Sequence, residues 1–543
     1  MRATEGLTKP KHINRPLATP VWRITTMERL VRQSAMFRWQ MRGPLPDWPS
    51  GKLIDPWRGH HVRGSQLVQG GLSHILKDDD YHNFSWLRDI RDYGGAAGRS
   101  LARDHIEKWC RRNSNWQEEL YRPDRLGNRL TNLLFTLSWF GETATDEFQH
   151  LLMQSLSFQT KILSVDWQRL NDVSRQIMAL KGLYIAQVML RRDDRDIAAL
   201  LDVVLQKAKS LLNPDWGHKS RAPEKHLRLL RDLIEVRQAS LLNDSPPSGD
   251  LEEMITNMGN LMKLWRHSNG EFAHFQGAGL STADAIEEVL KNCGPKGKIV
   301  PQAPHTGFLR LSAARNTLIM DAGTPVSPKS DNDISCASTF AFEFSVANAR
   351  FIVGAGQYTQ DKRLAMALSK TAAHSALTLD GIDSSDISVN RFAEITNVEA
   401  GPAEGGMLAI GTHNGYQKSH GILHHRQIYL TASGDNLRGS DELEYTGDPG
   451  EIPAFAELRF HMHPRVSAAL LNDKRILLKI QGQKAGWIFK SSGGTPDLEP
   501  SLYFDNGRRT SCQQIVLKVP LSQIRSVGKI EARWAFIKST TRK

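Results

Sequence analysis

The chain has 543 residues, 40% of them hydrophobic and 24% charged. That is an ordinary globular mix and too long for one core, so two or three domains are expected. The formal net charge of +12 favours a polyanionic partner or simply solubility; the excess is thinly spread and no nucleic-acid-binding module is recognisable, so no nucleic-acid partner is expected. The four cysteines, Cys110, Cys293, Cys336 and Cys512, lie far apart, which argues against a zinc ribbon or a disulfide framework.

In chain order, residues 1–22 are basic and lack an apolar run, which reads as a flexible N-terminal segment and not a secretory signal. No stretch approaches the ~18 apolar residues of a membrane span, so no transmembrane segment is expected, and the cytoplasm is the default compartment. From 23 to 295 the apolar period is helical. Phe148, Leu151, Leu152, Leu156, Ile162 and Leu163 recur at three and four, and Ile197, Leu200, Leu201, Val204 and Leu205 do so again. Short connections ("RRDDRD" at 191–196, "NPDWGHKSRAP" at 213–223, "NDSPPSGD" at 243–250) predict antiparallel helical hairpins in an array or toroid.

The stretch "NPDWGHKSRAPEKHLRLLRDL" from Asn213 places Asp215, His218, Ser220, Arg221, Lys225 and His226 at the mouth of an amphipathic helix. They either cap the helix, with Ser220 as the cap ahead of Pro223 and Glu224, or line a pocket. "NCGPKGKIVPQAP" at 292–304 reads as a linker. Beyond it the period becomes two. Phe340, Phe342, Phe344 and Val346 alternate with Ala341, Glu343 and Ser345, and Leu458, Phe460 and Met462 alternate with Arg459, His461 and His463. An antiparallel β-sandwich over 296–543 follows.

On "TAAHSALTLDG", "GILHHR" and "LRFHMHP" in the C-terminal half, and "FSWLRDIRDYGG" and "DWGHKSRAPEKHL" in the helical half, the chain resembles the heparinase II/III-like polysaccharide lyases. The resemblance implies an incomplete (α/α) toroid joined to a β-sandwich, with an acidic polysaccharide or oligosaccharide in the cleft between them. It also implies β-elimination at a uronic acid: a base removes the C5 proton, a donor meets the O4 leaving group, and the adjoining carboxylate is neutralised. Relatives that degrade polymers are often periplasmic, so the resemblance leaves the cell envelope open beside the cytoplasm.

By the same resemblance Asn171 matches a carboxylate-binding Asn, while Asp172 stands where His is common. Lys225 stands at the position of a catalytic Tyr, and His226 keeps the following His. His374 matches a histidine that faces the cleft or binds a structural zinc, with His424 as a second ligand and Asp386 as a weak third. Asn171, Lys225, His226 and His374 are therefore the catalytic candidates. Arg221, whose planar fork suits a carboxylate or sulfate, joins His218 and Tyr416 as substrate-binding candidates. The departures at Asp172 and Lys225 motivate an alternative: an acidic-glycan-binding protein that kept the fold and lost the base. A glycoside hydrolase using Asp172 and Asp215 is a further rival. His461 and His463, on one strand face, suit either a metal or a hydrogen-bonded sheet. The tryptophans of the helical half are mostly core, some free to stack on sugar.

Overall fold

The computed structural model describes residues 22, 24–41, 45–72, 76–190, 194–242, 247–295, 297–328, 334–357, 361–448, 450–505 and 507–539. The N-terminal segment apart from Trp22, and parts of the loops at 191–196 and 243–250, lie outside the described residues.

The helical half is built from amphipathic hairpins whose ends are capped as the sequence suggests. Thr145 accepts a hydrogen bond from Phe148 N at the start of Asp146–Asp166, Asp172 from Arg175 N at the start of Val173–Met189, and Thr282 from Ala285 N before Ala283–Lys291. Pro123 opens the helix Pro123–Gly141 and Pro223 opens Pro223–Ser240. The helices Pro123–Gly141 and Val173–Met189 cross where Gly127 meets Gly182. A Cβ at either would run into the other helix's backbone, so two glycines set how closely these helices approach. Trp57, Trp86, Trp109, Trp116 and Trp265 are buried, whereas Trp39 is 75% exposed. Among the described residues no helix is long and apolar enough to cross a membrane.

A buried ion network ties this domain together. Lys181 Nζ donates to Asp232 and Glu235, both at 2.6 Å. Arg88 reaches Glu235 at 3.0 Å and Asp55 at 2.8 Å, and Trp57 Nε1 donates to Glu235 at 2.9 Å. Burial pushes the Glu235 carboxyl up, but Lys181 and Arg88 outweigh it and hold the group at about 2.

The C-terminal half consists of a nine-stranded and an eight-stranded antiparallel sheet. The strand Phe342–Val346 is buried along its whole length, because its sheet is covered on both faces. Phe342 stacks on Trp534 of the second sheet with ring centroids 5.4 Å apart, and Phe344 packs on Trp487. Glu343 and Ser345 face the helical domain, where His267 meets both. Polar residues that alternation alone would send to solvent thus become the polar side of an interdomain joint.

Candidate functional site

The turn between the helices Asp194–Ser210 and Pro223–Ser240 is closed by a bridge between Leu212 and His218. Arg221 within it sits at φ 61°, a region that a bulky residue occupies only when its surroundings fix it. The β-domain does the fixing. Arg221 Nε donates to the Thr306 carbonyl at 2.8 Å, Nη2 to the Gly307 carbonyl at 3.0 Å and Nη1 to the Thr324 carbonyl at 3.0 Å. The guanidinium also pairs with Asp321 and lies over the Phe308 ring, 4.9 Å from its centroid. The other Asp321 oxygen accepts from Gln276 Nε2 at 3.0 Å and Ser338 Oγ at 2.6 Å. Asp215 accepts from His305 N, Thr306 N and Thr306 Oγ1 at 2.6–2.8 Å.

A second joint lies beside the first. Glu343 accepts from His274 N at 3.1 Å and Gly354 N at 2.8 Å, meets His267 Nε2 at 3.0 Å and pairs with Arg350, which donates to the Phe272 carbonyl at 3.1 Å. Burial pushes the Glu343 carboxyl up, yet Arg350 and His267 hold it well below the usual carboxylate range. The imidazoles are kept neutral by desolvation. Burial lowers His267 to about 4 and His274 to about 3. His274 stacks on Tyr503 at 5.2 Å, and among the described residues its Nδ1 has no hydrogen-bond partner.

Of the residues singled out from the sequence, Arg221 and Asp215 belong to the first joint, and the others have other surroundings. Arg221 is 4% exposed, its fork closed over Asp321 and three carbonyls, so it is a strut between the domains and not an open carboxylate clamp. His226 is fully buried, with Nε2 2.9 Å from the Met258 carbonyl and its ring edge-on to Trp265; burial lowers it to about 4. Tyr416 is also fully buried and donates to the Leu377 carbonyl at 2.6 Å, and burial pushes its phenol well above the usual range. It therefore meets sandwich core instead of a cleft. His218 Nδ1 lies 2.7 Å from Ser220 Oγ within the turn. Ser220 is not the helix cap, because Ala222 occupies that position. Glu224 stands in the first turn, where a carboxylate suits the helix dipole. It accepts from Gly279 N, Leu280 N and Ser281 N.

Asn171 is exposed beside the cap residue Asp172, and Lys225 is half-buried in the first turn of its helix. The Asp172 carboxylate accepts from the Arg175 backbone, while the Arg175 guanidinium turns to Asp124 at 2.6 Å. With Asp215 holding Thr306, the Asp172–Asp215 pair is not set up for glycoside hydrolysis.

His374 is 1% exposed, neither of its ring nitrogens has a hydrogen-bond partner among the described residues, and burial lowers it to about 4. It does not share a site with His424. The His424 ring lies between His413 (Nδ1 to Nε2, 2.9 Å) and Asp441 (Nε2 to Oδ1, 2.7 Å), and Arg426 and Trp534 also donate to Asp441. Both His424 nitrogens are taken, so a zinc held by His374 and His424 does not fit these residues, and Asp386 only caps a local turn. His461 lies 2.7 Å from Ser501 Oγ and 3.0 Å from the Ala372 carbonyl, which makes it a hydrogen-bonded sheet residue.

Sequence reasoning missed Asp321, Glu343, Gln276 and His267. The signal present was Glu343 alternating with phenylalanines. Nothing in the sequence said that a second domain would cover that face.

Residues 295–535 match the family described as Heparinase II/III-like, C-terminal. The chain is 25% identical over 521 residues to FtsZ-localized protein C of Caulobacter vibrioides, covering 90% of this chain and 88% of that protein. Among solved structures it is similar to the heparan sulfate lyase HepC of Pedobacter heparinus, with a TM-score of 0.64 and 14% identity over 94% of this chain and 88% of that one. A heparinase III structure matches with a TM-score of 0.66 and 12% identity over 93% and 89%. At these identities the structural likeness carries the fold: a helical toroid followed by a β-sandwich.

Proposed function

We propose, from the premise that this is a heparinase II/III-like protein, that it binds an acidic glycan without cleaving it. The observation that carries this reading is the fate of the nominated proton-transfer groups. Of these, His226 and His374 are sealed from solvent, desolvation keeps both imidazoles neutral, and the Tyr position of the helix mouth is Lys225, which is half-buried. An elimination needs a base and an acid within hydrogen-bond reach of the sugar, and both candidate imidazoles are turned into the protein. The test is incubation with heparan sulfate, alginate and a bacterial uronate-containing exopolysaccharide, following the ultraviolet absorbance of the 4,5-unsaturated product and, separately, binding by calorimetry. Binding without product is expected. A steady rise in absorbance restores the lyase, a uronate-specific carbon–oxygen lyase, in its place.

A second reading is favoured by the Caulobacter relative, whose name places it with FtsZ and which aligns along nearly all of this chain. On that reading the protein works at the division site, and the fold serves recognition. Co-sedimentation with purified FtsZ polymers is expected. Recovery of the whole chain in the supernatant at every FtsZ concentration would remove this reading.

A further inference from the structure

At the junction of the domains, apart from the predicted helix mouth, lies a cavity of about 480 Å³, a size that suits a small ligand. It is bounded by the end of the helix Gly249–Met262, the helix Ala283–Lys291, the start of the linker and Arg310 from the first long strand. Its lining carries four cations, Lys263, Arg266, Lys291 and Arg310, against one carboxylate, Glu287. Glu287 pairs with Arg266 at 2.7 Å. Lys263 Nζ donates to Asn260 Oδ1 and the Gly297 carbonyl.

Arg310 is the distinctive member. It is 8% exposed. It donates to the Leu264 and Arg266 carbonyls and to the Ser312 and Thr317 hydroxyls. Its N–H groups are thus oriented, but all four partners are neutral, and among the described residues no carboxylate pairs with it. Burial alone lowers it, to about 10, so it stays cationic at neutral pH. A buried charge left without a counter-ion is unfavourable. Arg221 and Arg350, buried likewise, meet Asp321 and Glu343, and Arg129, which among the described residues meets no carboxylate, is packed over the Trp109 and Tyr121 rings and lines no such cavity. Here the counter-charge is supplied neither by Arg310's own strand nor by the helices packed on it.

We propose that this cavity is a binding site for an oxyanion group (carboxylate, sulfate or phosphate) of a small ligand, with Arg310 and Lys263 as its inner cations and Lys291 at its rim. Where the anion is a sugar acid, the site rests on the glycan reading above and supplies its anchor. Where it is inorganic or a phosphorylated metabolite, the site stands without that reading.

The experiment is calorimetry and thermal denaturation of the full chain with sodium sulfate, sodium phosphate and sodium glucuronate, at ionic strength matched with chloride so that screening is constant. Saturable binding of at least one of these is expected, weakened by about tenfold or more in a Lys263→Gln/Lys291→Gln variant, since each loses a charged donor. Arg310→Lys is the second probe. It keeps the charge and loses the one Nη2–H that the protein does not already occupy, so weaker binding by the folded variant supports the site, and undiminished binding by it counts against Arg310 as an inner cation. Glucuronate binding assigns a sugar acid, and binding of sulfate or phosphate alone assigns the other source. Absence of any saturable anion effect, or affinities unchanged in the double lysine variant, overturns the site. Acidic glycan that still binds that double variant would leave the glycan reading standing and take this cavity out of it.

Discussion

Replacing Arg221 by Ala separates the two roles open to this residue. If it is a strut, the substitution leaves Asp321, whose side chain is 1% exposed, as an uncompensated buried carboxylate held by the neutral donors Gln276, Ser338 and Gly323 N. Breaking a buried pair in this way costs about 3–5 kcal/mol. The Thr306 and Thr324 carbonyls also lose the guanidinium donor, at about 1 kcal/mol each where water cannot replace it, while the Gly307 carbonyl keeps Ala322 N. These losses share one side chain and are not additive, so a fall of about 3–5 kcal/mol is expected in a urea titration followed by tryptophan fluorescence. The linker at 292–304 should also become more susceptible to limited proteolysis, because the joint it spans loosens. Asp321→Asn should cost less than Arg221→Ala, and Arg221→Met/Asp321→Leu less than the sum of its singles, since removing both charges removes the desolvation problem. If Arg221 were a substrate clamp, Arg221→Ala would weaken glycan binding and leave the urea midpoint where it was. A stability loss under about 1 kcal/mol would refute the strut assignment.

Two further outcomes follow from the buried groups. His226, His267 and His374 are held at about 4, and His274 and His461 at about 3, in each case chiefly by desolvation. Each binds its proton more readily in the unfolded chain, so its contribution is complete above about pH 6.5 and declines as pH falls toward its folded value, about 4 for the first three and about 3 for His274 and His461, by up to ~1.4 kcal/mol per pH unit for each imidazole. Glu235, held at about 2, adds a loss only below about pH 4.5. Urea midpoints measured from about pH 7 to about pH 5 should therefore fall steeply, and a flat profile would show that these imidazoles are not desolvated as described. Separately, Gly127→Ala should destabilise the helical domain by about 1–3 kcal/mol through overpacking against Met178 and Ala179; a neutral effect in thermal denaturation would mean that the helices separate at no cost.

What was legible in the sequence was what local physics dictates. Period-three-to-four apolar spacing marked the helices and period-two alternation marked the strands, because each element must bury one face. The special character of "DWGHKSRAPEKHL" was legible too, since titratable residues at a helix mouth need partners. Which partners they have was not legible. Asp215 and Arg221 meet Thr306 and Asp321 about 90–100 positions away in sequence, and no local rule connects them. His424 was singled out as a zinc ligand on its sequence neighbours. Its actual neighbours, His413 and Asp441, come from the adjacent strands of the eight-stranded sheet. Pairing register decides that, and a single strand does not contain it.

The same residue chemistry suits a sugar-acid site and a domain joint, and the two are distinguished by where the counter-charge comes from. A site for an anionic polymer needs cations whose counter-charge is missing from the protein. Arg221 fails that criterion because Asp321 supplies the charge, and Arg350 fails it because of Glu343. Arg310 meets it, since its four hydrogen-bond partners are neutral and the cavity it lines carries four cations to one carboxylate. Motif position therefore ranks the helix mouth first, while charge balance ranks the Arg310 cavity above the helix mouth. For a ligand recognised by its charge, the second ranking is the physical one, because binding strength comes from attraction the protein has not already satisfied internally.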